Sequence, residues 1–455
     1  MDKTIAAIST APAPGGIGIV RISGPEAFAI GDRVFRGIRK TPLSQMKGYT
    51  AQLGGAYTQV GERLDDVVAL VFRGPKSYTG EDVVELSCHG GLYLTKRLLQ
   101  EVLDAGAVPA GPGEFTRRAF LNGKVDLAQA EAVMGLIGAS GEQARRAAQA
   151  GSSGVLSQRI RRVRENLLTL AAHLAAWADF PEEDVPQVEE GELLSSMEAA
   201  QQEISSLLAG FDRGKMYREG LATVIAGRPN AGKSTLMNLL SGCERSIVTQ
   251  YAGTTRDVVE ETVTLAGVPL RLADTAGIRD TSDPVESIGV AAAKKRLETA
   301  QLVLAVFDSS QELTKEDRDL MDSLEGVPAV AVINKTDLPT RIDVEEIRSH
   351  FEKVAFLSAA QGEGLEELEQ ALSEILDTKD FHPEEGVLFT QRQRQDAQRA
   401  YDSLEEGREA LELGMTLDAV TVCVEDALNS LSALTGEQVS EEIVDQVFEQ
   451  FCVGK

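Results

Sequence analysis

Residues 227–235 read Gly-Arg-Pro-Asn-Ala-Gly-Lys-Ser-Thr, a Gly-x4-Gly-Lys-Ser spacing that can wrap a polyphosphate. The glycines let successive backbone N–H groups converge on phosphate oxygens, and the N-terminus of the following helix adds the positive end of its dipole. Lys233 then reaches the β- and γ-phosphates and the Ser234 hydroxyl ligates magnesium, with Asn230, Ala231, Gly232 and Thr235 completing the loop. Three further segments follow in order. Asp274-Thr275-Ala276-Gly277 supplies a carboxylate that holds magnesium through water and a glycine N–H for the γ-phosphate. Asn334-Lys335-Thr336-Asp337 supplies a carboxylate, Asp337, that can accept from N1–H and the 2-amino group of guanine. Adenine offers no such pair, and the wrong base would leave a buried carboxylate unpaired. Ser358-Ala359-Ala360 offers backbone N–H groups to guanine O6. Alone, Asn-Lys-x-Asp is a weak signal. In this order and spacing the four segments describe a guanine-nucleotide domain.

Each segment needs a strand to aim it. Strand-like runs stand immediately before them, the apolar β-branched Leu221 to Ala226, the alternating Leu270 to Ala273, the buried pattern Val327 to Ile333 and then Val354 to Leu357, and Leu236 to Leu240 reads as the helix after the phosphate loop. Residues 1–118 read as mixed α and β, with strand-like runs Ile17 to Ile22, Val67 to Phe72 and Val83 to Leu86 and a helical period over Leu92 to Val102. Gly15-Gly16-x-Gly18 lacks the spacing of a dinucleotide fingerprint. Val125 to Ala150 and Val155 to Trp177 predict two long helices, stopped by Pro181 and Pro186, and Leu193 to Leu208 predicts a third. Residues 396–450 are helical again. Ends of an inserted domain lie close together, so both helical regions can belong to one discontinuous bundle. The expected organisation is multidomain α/β. An α+β domain (1–118) is followed by the first helical segment (119–215), a P-loop GTPase domain with a mostly parallel sheet (216–379) and the second helical segment (380–455).

Length allows about three domains for 455 residues. No run of 18 or more apolar residues is present, so no spanning helix or membrane insertion is expected. The N-terminus Met1-Asp2-Lys3-Thr4 lacks a signal-peptide pattern, and the four scattered cysteines (Cys88, Cys243, Cys423, Cys452) fit a reducing cytoplasm and offer no zinc spacing. A net charge of −26 argues against indiscriminate binding to nucleic acid or anionic membrane. Residues 117–164 nevertheless hold nine Lys or Arg against three acids, a local basic surface.

Two features depart from the simplest small GTPases. After Gly277 stands Ile278, where a glutamine would orient the attacking water. The following loop offers Asp280, Asp283 and Glu286 as substitutes, although a solvated acidic loop is the ordinary reading of such residues. Asn230 could join carbonyls around a monovalent cation and neutralise charge as an arginine finger does, or it could simply stabilise its loop.

The order of phosphate loop, Gly253-Thr254-Thr255-Arg256-Asp257, Asp-Thr-Ala-Gly-Ile and Asn-Lys-Thr-Asp, set within a helical domain, resembles the MnmE (TrmE) family of tRNA-modification GTPases. Gly18-Ile19-Val20-Arg21-Ile22-Ser23-Gly24, Tyr78-Thr79-Gly80-Glu81-Asp82, Cys88-His89-Gly90-Gly91, the string Pro112 to Lys124 and the tail Phe451-Cys452-Val453-Gly454-Lys455 extend the likeness over the chain. Val453 stands where the family pattern has isoleucine, a nearly silent swap.

The resemblance implies a homodimer, formed through the N-terminal domain. With the flavoprotein MnmG, it adds an aminomethyl or carboxymethylaminomethyl group at C5 of the wobble uridine of certain tRNAs. The one-carbon unit would come from 5-formyltetrahydrofolate or a related tetrahydrofolate. By the same resemblance, Arg21, Glu85, Lys124 and Lys455 fall on folate binding. Asn230, Thr249, Tyr251 and Thr254 fall on a potassium site, and Ser234 and Thr255 on magnesium (Mg2+). Gln250, Ala252 and Gly253 complete the nucleotide-contacting loop, while Glu286 positions the hydrolytic water beside Lys233 as the catalytic pair. A carboxylate such as Glu85 suits the paired N–H donors of a pterin. Rival readings are a ribosome-assembly GTPase, a nucleotide switch without a modification role, and a membrane-remodelling GTPase, for which the sequence offers no apolar tip. The first should carry an RNA-binding module after its GTPase domain, where residues 396–455 read as bundle helices.

Overall fold

The computed structural model describes residues 3–139, 141–179, 190–242, 261–273, 300–377 and 382–454. Thr249 to Thr255, Asp274 to Gly277, Glu286 and Lys455 lie outside the described residues. The chain divides into two compact units, Met1–Met134 with Ile160–Met197 and Asp402–Lys455, and Gly135–Arg159 with Glu198–Tyr401.

In the first unit, alternation of apolar and polar residues builds a seven-stranded sheet. Its strands are β1 (Ile5–Ile8), β2 (Ile17–Ser23), β3 (Phe35–Gly37), β4 (Thr50–Tyr57), β5 (Arg63–Phe72), β6 (Val83–His89) and β7 (Val108–Pro109). They run in the order β3-β4-β5-β6-β2-β1-β7, antiparallel except for the β1–β7 pair. One face carries Val20, Ile22, Val67, Ala69, Val84 and Leu86 into a core with Ile30 of the helix Ala27–Val34 and with Leu98 and Val102 of the helix Leu92–Asp104. Burying each such side chain contributes about 1.5–3 kcal/mol. The two-residue period sends Arg21, Leu70 and Glu85 to the other face, where register sets Glu85 opposite both Arg21 and Leu70. The chain ends in the helix Glu441–Glu449, capped by the Ser440 hydroxyl accepting from Ile443 N. Val444, Phe448 and Phe451 there pack with Leu127 and Ala130.

In the second unit a six-stranded sheet holds β8 (Leu221–Ala226), β9 (Glu261–Leu265), β10 (Val268–Ala273), β11 (Leu302–Asp308), β12 (Ala329–Asn334) and β13 (Lys353–Phe356). The order is β13-β12-β11-β8-β10-β9, and only β9 runs antiparallel to its neighbour. Every residue of β11 and of β12 is buried, as strands covered on both faces require.

One helical expectation is corrected. Val125 to Ala150 does not form one helix: Leu127–Ile137 ends before Gly138, and Glu142–Ser152 begins after Gly141. Two glycines close together weaken the helical backbone by about 1 kcal/mol each relative to alanine, enough to place a break there. The helix expected over Leu193 to Leu208 is longer, Glu190–Glu219, and leads directly to β8.

Candidate functional site

The phosphate loop joins β8 to the helix Lys233–Gly242 at the carboxyl end of a parallel strand, where open α/β sheets bind ligands. Gly232 has φ +102°, and a Cβ there would lie 2.1 Å from Asn334 Nδ2. That nitrogen donates to Ala231 O at 3.0 Å, and Asn334 Oδ1 accepts from Ala359 N at 3.0 Å. Buried Asn334 therefore joins the phosphate loop, the end of β12 and the loop after β13. Glycine at 232 gives it room.

Lys335, itself at φ +66°, donates from Nζ to Asn230 O at 2.7 Å and to Asp308 Oδ2 at 2.6 Å. Burial on its own would raise the Asp308 carboxyl. Hydrogen bonds from Lys335 and Ser310 outweigh that and hold it below the usual aspartate value. Asp308 is not singled out by the motifs of the sequence. A signal for it exists, a carboxylate closing the apolar run Leu302 to Phe307 in register with Asn334.

Ser358 Oγ donates to Asp337 Oδ1 at 2.7 Å, which orients the exposed carboxylate and leaves Oδ2 outside that bond. Of the three backbone donors expected at residues 358–360, Ser358 N donates to Glu363 O and Ala359 N to Asn334 Oδ1. Ala360 N–H is the one without a partner among the described residues. Thr336 N is fixed on Leu357 O at 3.3 Å. Lys233 Nζ donates to Gly227 O at 2.8 Å and Arg228 O at 2.9 Å, so the ammonium is held over its own loop. Ser234 and Thr235 open the helix. The Asn230 side chain is exposed and makes no hydrogen bond among the described residues, while its backbone adopts φ +62°.

A second constellation lies on the other face of the seven-stranded sheet. Arg21 Nε donates to Glu85 Oε1 at 2.8 Å. Both line a cavity of about 270 Å³ with Phe72, Tyr78, Val83 and Val133. That is near the lower end of the roughly 300–1,000 Å³ typical of small-molecule sites, and the mixture of apolar walls with a few polar groups is the usual lining. The Arg21 guanidinium lies 5.5 Å from the Phe115 ring centre and 5.9 Å from that of Tyr78. Burial raises the Tyr78 phenol above its ordinary value, so it stays protonated, 2.8 Å from Thr116 Oγ1.

The C-terminal tail closes on this region. Val453 bridges Pro112, Gly113 N donates to Cys452 O, and Gly454 O accepts from Ser9 Oγ at 3.1 Å and Arg21 Nη1 at 3.4 Å. Gly454 sits at φ +95°, and a Cβ there would lie 2.2 Å from Ile8 O. The structure thus brings Arg21 and Glu85 together and sets the residue before Lys455 on Arg21. Lys124 is placed differently: its ammonium donates to Pro75 O at 3.0 Å, and it does not line the cavity. Sequence reasoning did not single out Phe72, Ser9 or Gly454 individually, because their role depends on long-range closure.

A family model described as the MnmE helical domain matches residues 127–452, and one described as the GTP-binding protein TrmE N-terminus matches residues 4–124. The tRNA modification GTPase MnmE of Symbiobacterium thermophilum is 45% identical over 457 residues, covering 100% of both chains. That of Alkaliphilus oremlandii is 43% identical over 459 residues, again covering 100% of both. The Lactiplantibacillus plantarum protein of the same name is 42% identical over 459 residues, with 99% of this chain and 98% of the relative covered. With phosphate-loop and base-recognition segments joined through Asn334 and Lys335, and with matches that run its full length, the chain belongs to the MnmE family of tRNA modification GTPases.

Proposed function

We propose that this GTPase acts with the flavoprotein MnmG to place an aminomethyl or carboxymethylaminomethyl group at C5 of the wobble uridine of certain tRNAs. Hydrolysis would depend on potassium and magnesium, and the folate site would lie in the cavity of the N-terminal sheet. The observation that carries the folate assignment is the Arg21–Glu85 pair, which lines an apolar cavity beside the C-terminal tail.

The residues present fit a folate. Glu85 spends Oε1 on Arg21 and keeps Oε2 for paired N–H donors of a pterin. Arg21 keeps cationic character toward carboxylates, and Phe72, Val83 and Tyr78 supply walls for a planar ring. A tetrahydrofolate bound there would supply the one-carbon unit. Lys455 follows Gly454 and is proposed as a further cationic contact. Lys124, whose ammonium donates to Pro75 O, is proposed as a folate contact by the family resemblance alone.

In the nucleotide site, Lys233 and the backbone of residues 230–235 hold phosphate, Asp337 and Ala360 select guanine, and Ser234 with Thr255 would hold magnesium. Asn230 has a side-chain amide not consumed by its own loop, which supports its assignment with Thr249, Tyr251 and Thr254 to potassium. Glu286 is proposed to orient the hydrolytic water in place of the missing glutamine. A homodimer formed through the N-terminal domain, with the GTPase domain (216–379) inserted between helical segments 119–215 and 380–455, completes the reading. Among the described residues no helix is long and apolar enough to cross a membrane.

Calorimetry with 5-formyltetrahydrofolate tests the cavity. Glu85→Gln and Arg21→Ala should each weaken binding at least tenfold while GTP turnover stays within twofold of the parent. Parent-like affinity in both variants would remove the folate from this cavity.

A further inference from the structure

The helix Glu114–Leu121 carries a charged network that the nucleotide and folate readings do not use. Arg118, with a side chain only 7% exposed, sits between two carboxylates. Its Nη1 donates to both oxygens of Glu81, at 3.1 and 3.0 Å, and Nη2 donates to Glu114 Oε1 at 2.9 Å. Each of the two acidic residues then ties down a different segment. Glu81 Oε2 accepts from Ser23 Oγ at 2.7 Å and its backbone oxygen from Ser77 Oγ at 2.5 Å, which fixes the loop that presents Tyr78. Glu114 Oε2 accepts from Gly111 N at 2.7 Å, which fixes the strap 111–113. That strap is what the tail lies on, through the Pro112–Val453 bridge and the Gly113 N to Cys452 O bond.

We infer that Arg118 and Glu114 are positioning residues that dock the C-terminal tail against the folate cavity and hold it in register with the Tyr78 wall. The ligand named here rests on the folate reading, but the docking itself is independent of it. Arginine suits the task because its planar fork can serve two carboxylates at once, which a single ammonium does poorly. Among the described residues nothing else ties the strap to a charged group: Pro112 has no N–H, and Gly113 is spent on Cys452. The strap under the tail therefore has one charged anchor, Glu114, and Glu114 is itself held by Arg118.

The test uses the full-length protein and two readouts. The first is the alkylation rate of Cys452, located by mass spectrometry, which needs no ligand because this half-buried thiol lies between the strap and Gly454. The second is affinity for 5-formyltetrahydrofolate. Glu114→Gln should raise the Cys452 rate at least fivefold and weaken folate binding about tenfold, with GTP turnover within twofold of the parent. Arg118→Lys should behave alike. In a chain ending at Cys452, Glu114→Gln should cost no further folate affinity, since Gly454 and Lys455, which the docking brings to the cavity, are gone. Parent-like Cys452 rates in both variants would overturn the inference, as would an undiminished folate effect in the shortened chain. If the parent itself binds no folate, the folate reading fails, and the Cys452 rates alone decide the docking role. Should Arg118→Lys fail to fold, Glu114→Gln carries the test, because it removes charge without removing volume.

Discussion

Replacing Asp337 by asparagine should exchange guanine for xanthine. In the structure Ser358 Oγ donates to Oδ1 of Asp337, leaving Oδ2 outside that bond, on an exposed side chain. The introduced amide has one oxygen and one nitrogen, and only the oxygen can accept from Ser358. The neighbouring serine therefore fixes the amide with its NH2 group outward, where guanine presents N1–H and its 2-amino group. Two donors then face each other. The variant loses a charge-assisted hydrogen bond, which costs about 1.5–3 kcal/mol. At 1.4 kcal/mol per factor of ten, GTP affinity should fall roughly 10- to 150-fold. Xanthine carries an oxygen in place of the 2-amino group, so the outward NH2 becomes complementary to it. Competition by GTP and xanthosine triphosphate against a fluorescent nucleotide measures both changes. A variant that still prefers GTP would show that Asp337 does not meet the base. Ser358→Ala should blunt the switch in the Asp337→Asn background, since the amide is then free to turn.

Lys335→Met should destabilise the nucleotide domain by about 1.5–3 kcal/mol, because it removes the charged donor to buried Asp308 and to Asn230 O. The sign of the pH effect follows from the lowered Asp308 carboxyl. Its contribution in the parent is full above the unfolded aspartate pKa of about 3.9 and is lost as pH falls through the lower folded value. In the variant, burial is opposed by fewer bonds and the folded value moves back toward the unfolded one, so the acid fall in urea midpoints followed by circular dichroism should be smaller than in the parent. Glu286→Ala should lower GTP turnover while leaving GTP affinity within a few-fold, the pattern of a group that acts in the transition state. Equal loss of both would assign it to loop ordering. Potassium should accelerate hydrolysis more than sodium, and Asn230→Ala should erase the difference. Equal parent rates in the two salts would refute the cation site.

Local sequence placed the loops of the nucleotide domain wherever one strand and its loop suffice. A buried β-branched run aims its last residue at the carboxyl edge of a parallel sheet, so Gly232, Asn334, Asp337 and Ser358 could be placed from spacing alone. Likewise the two-residue period of β2 and β6 already put Arg21 and Glu85 on faces opposite their apolar neighbours. Pairing across strands was not legible. That Arg21 meets Glu85 depends on β2 lying beside β6, and Asp308 becomes the partner of Lys335 only when β11 and β12 align. The length of a helix with glycines inside it was also undecided, because the break at Gly138 and Gly141 reflects backbone entropy that periodicity does not record. The tail shows the division most clearly. Its residues resemble a family motif, whereas Gly454 reaches Arg21 across 433 residues of chain by way of a helix that packs through Phe448 on Leu127 and Ala130 and a strap held by Glu114. Closure over such a distance carries an entropy cost that only the assembled core can offset, so it belongs to the tertiary structure.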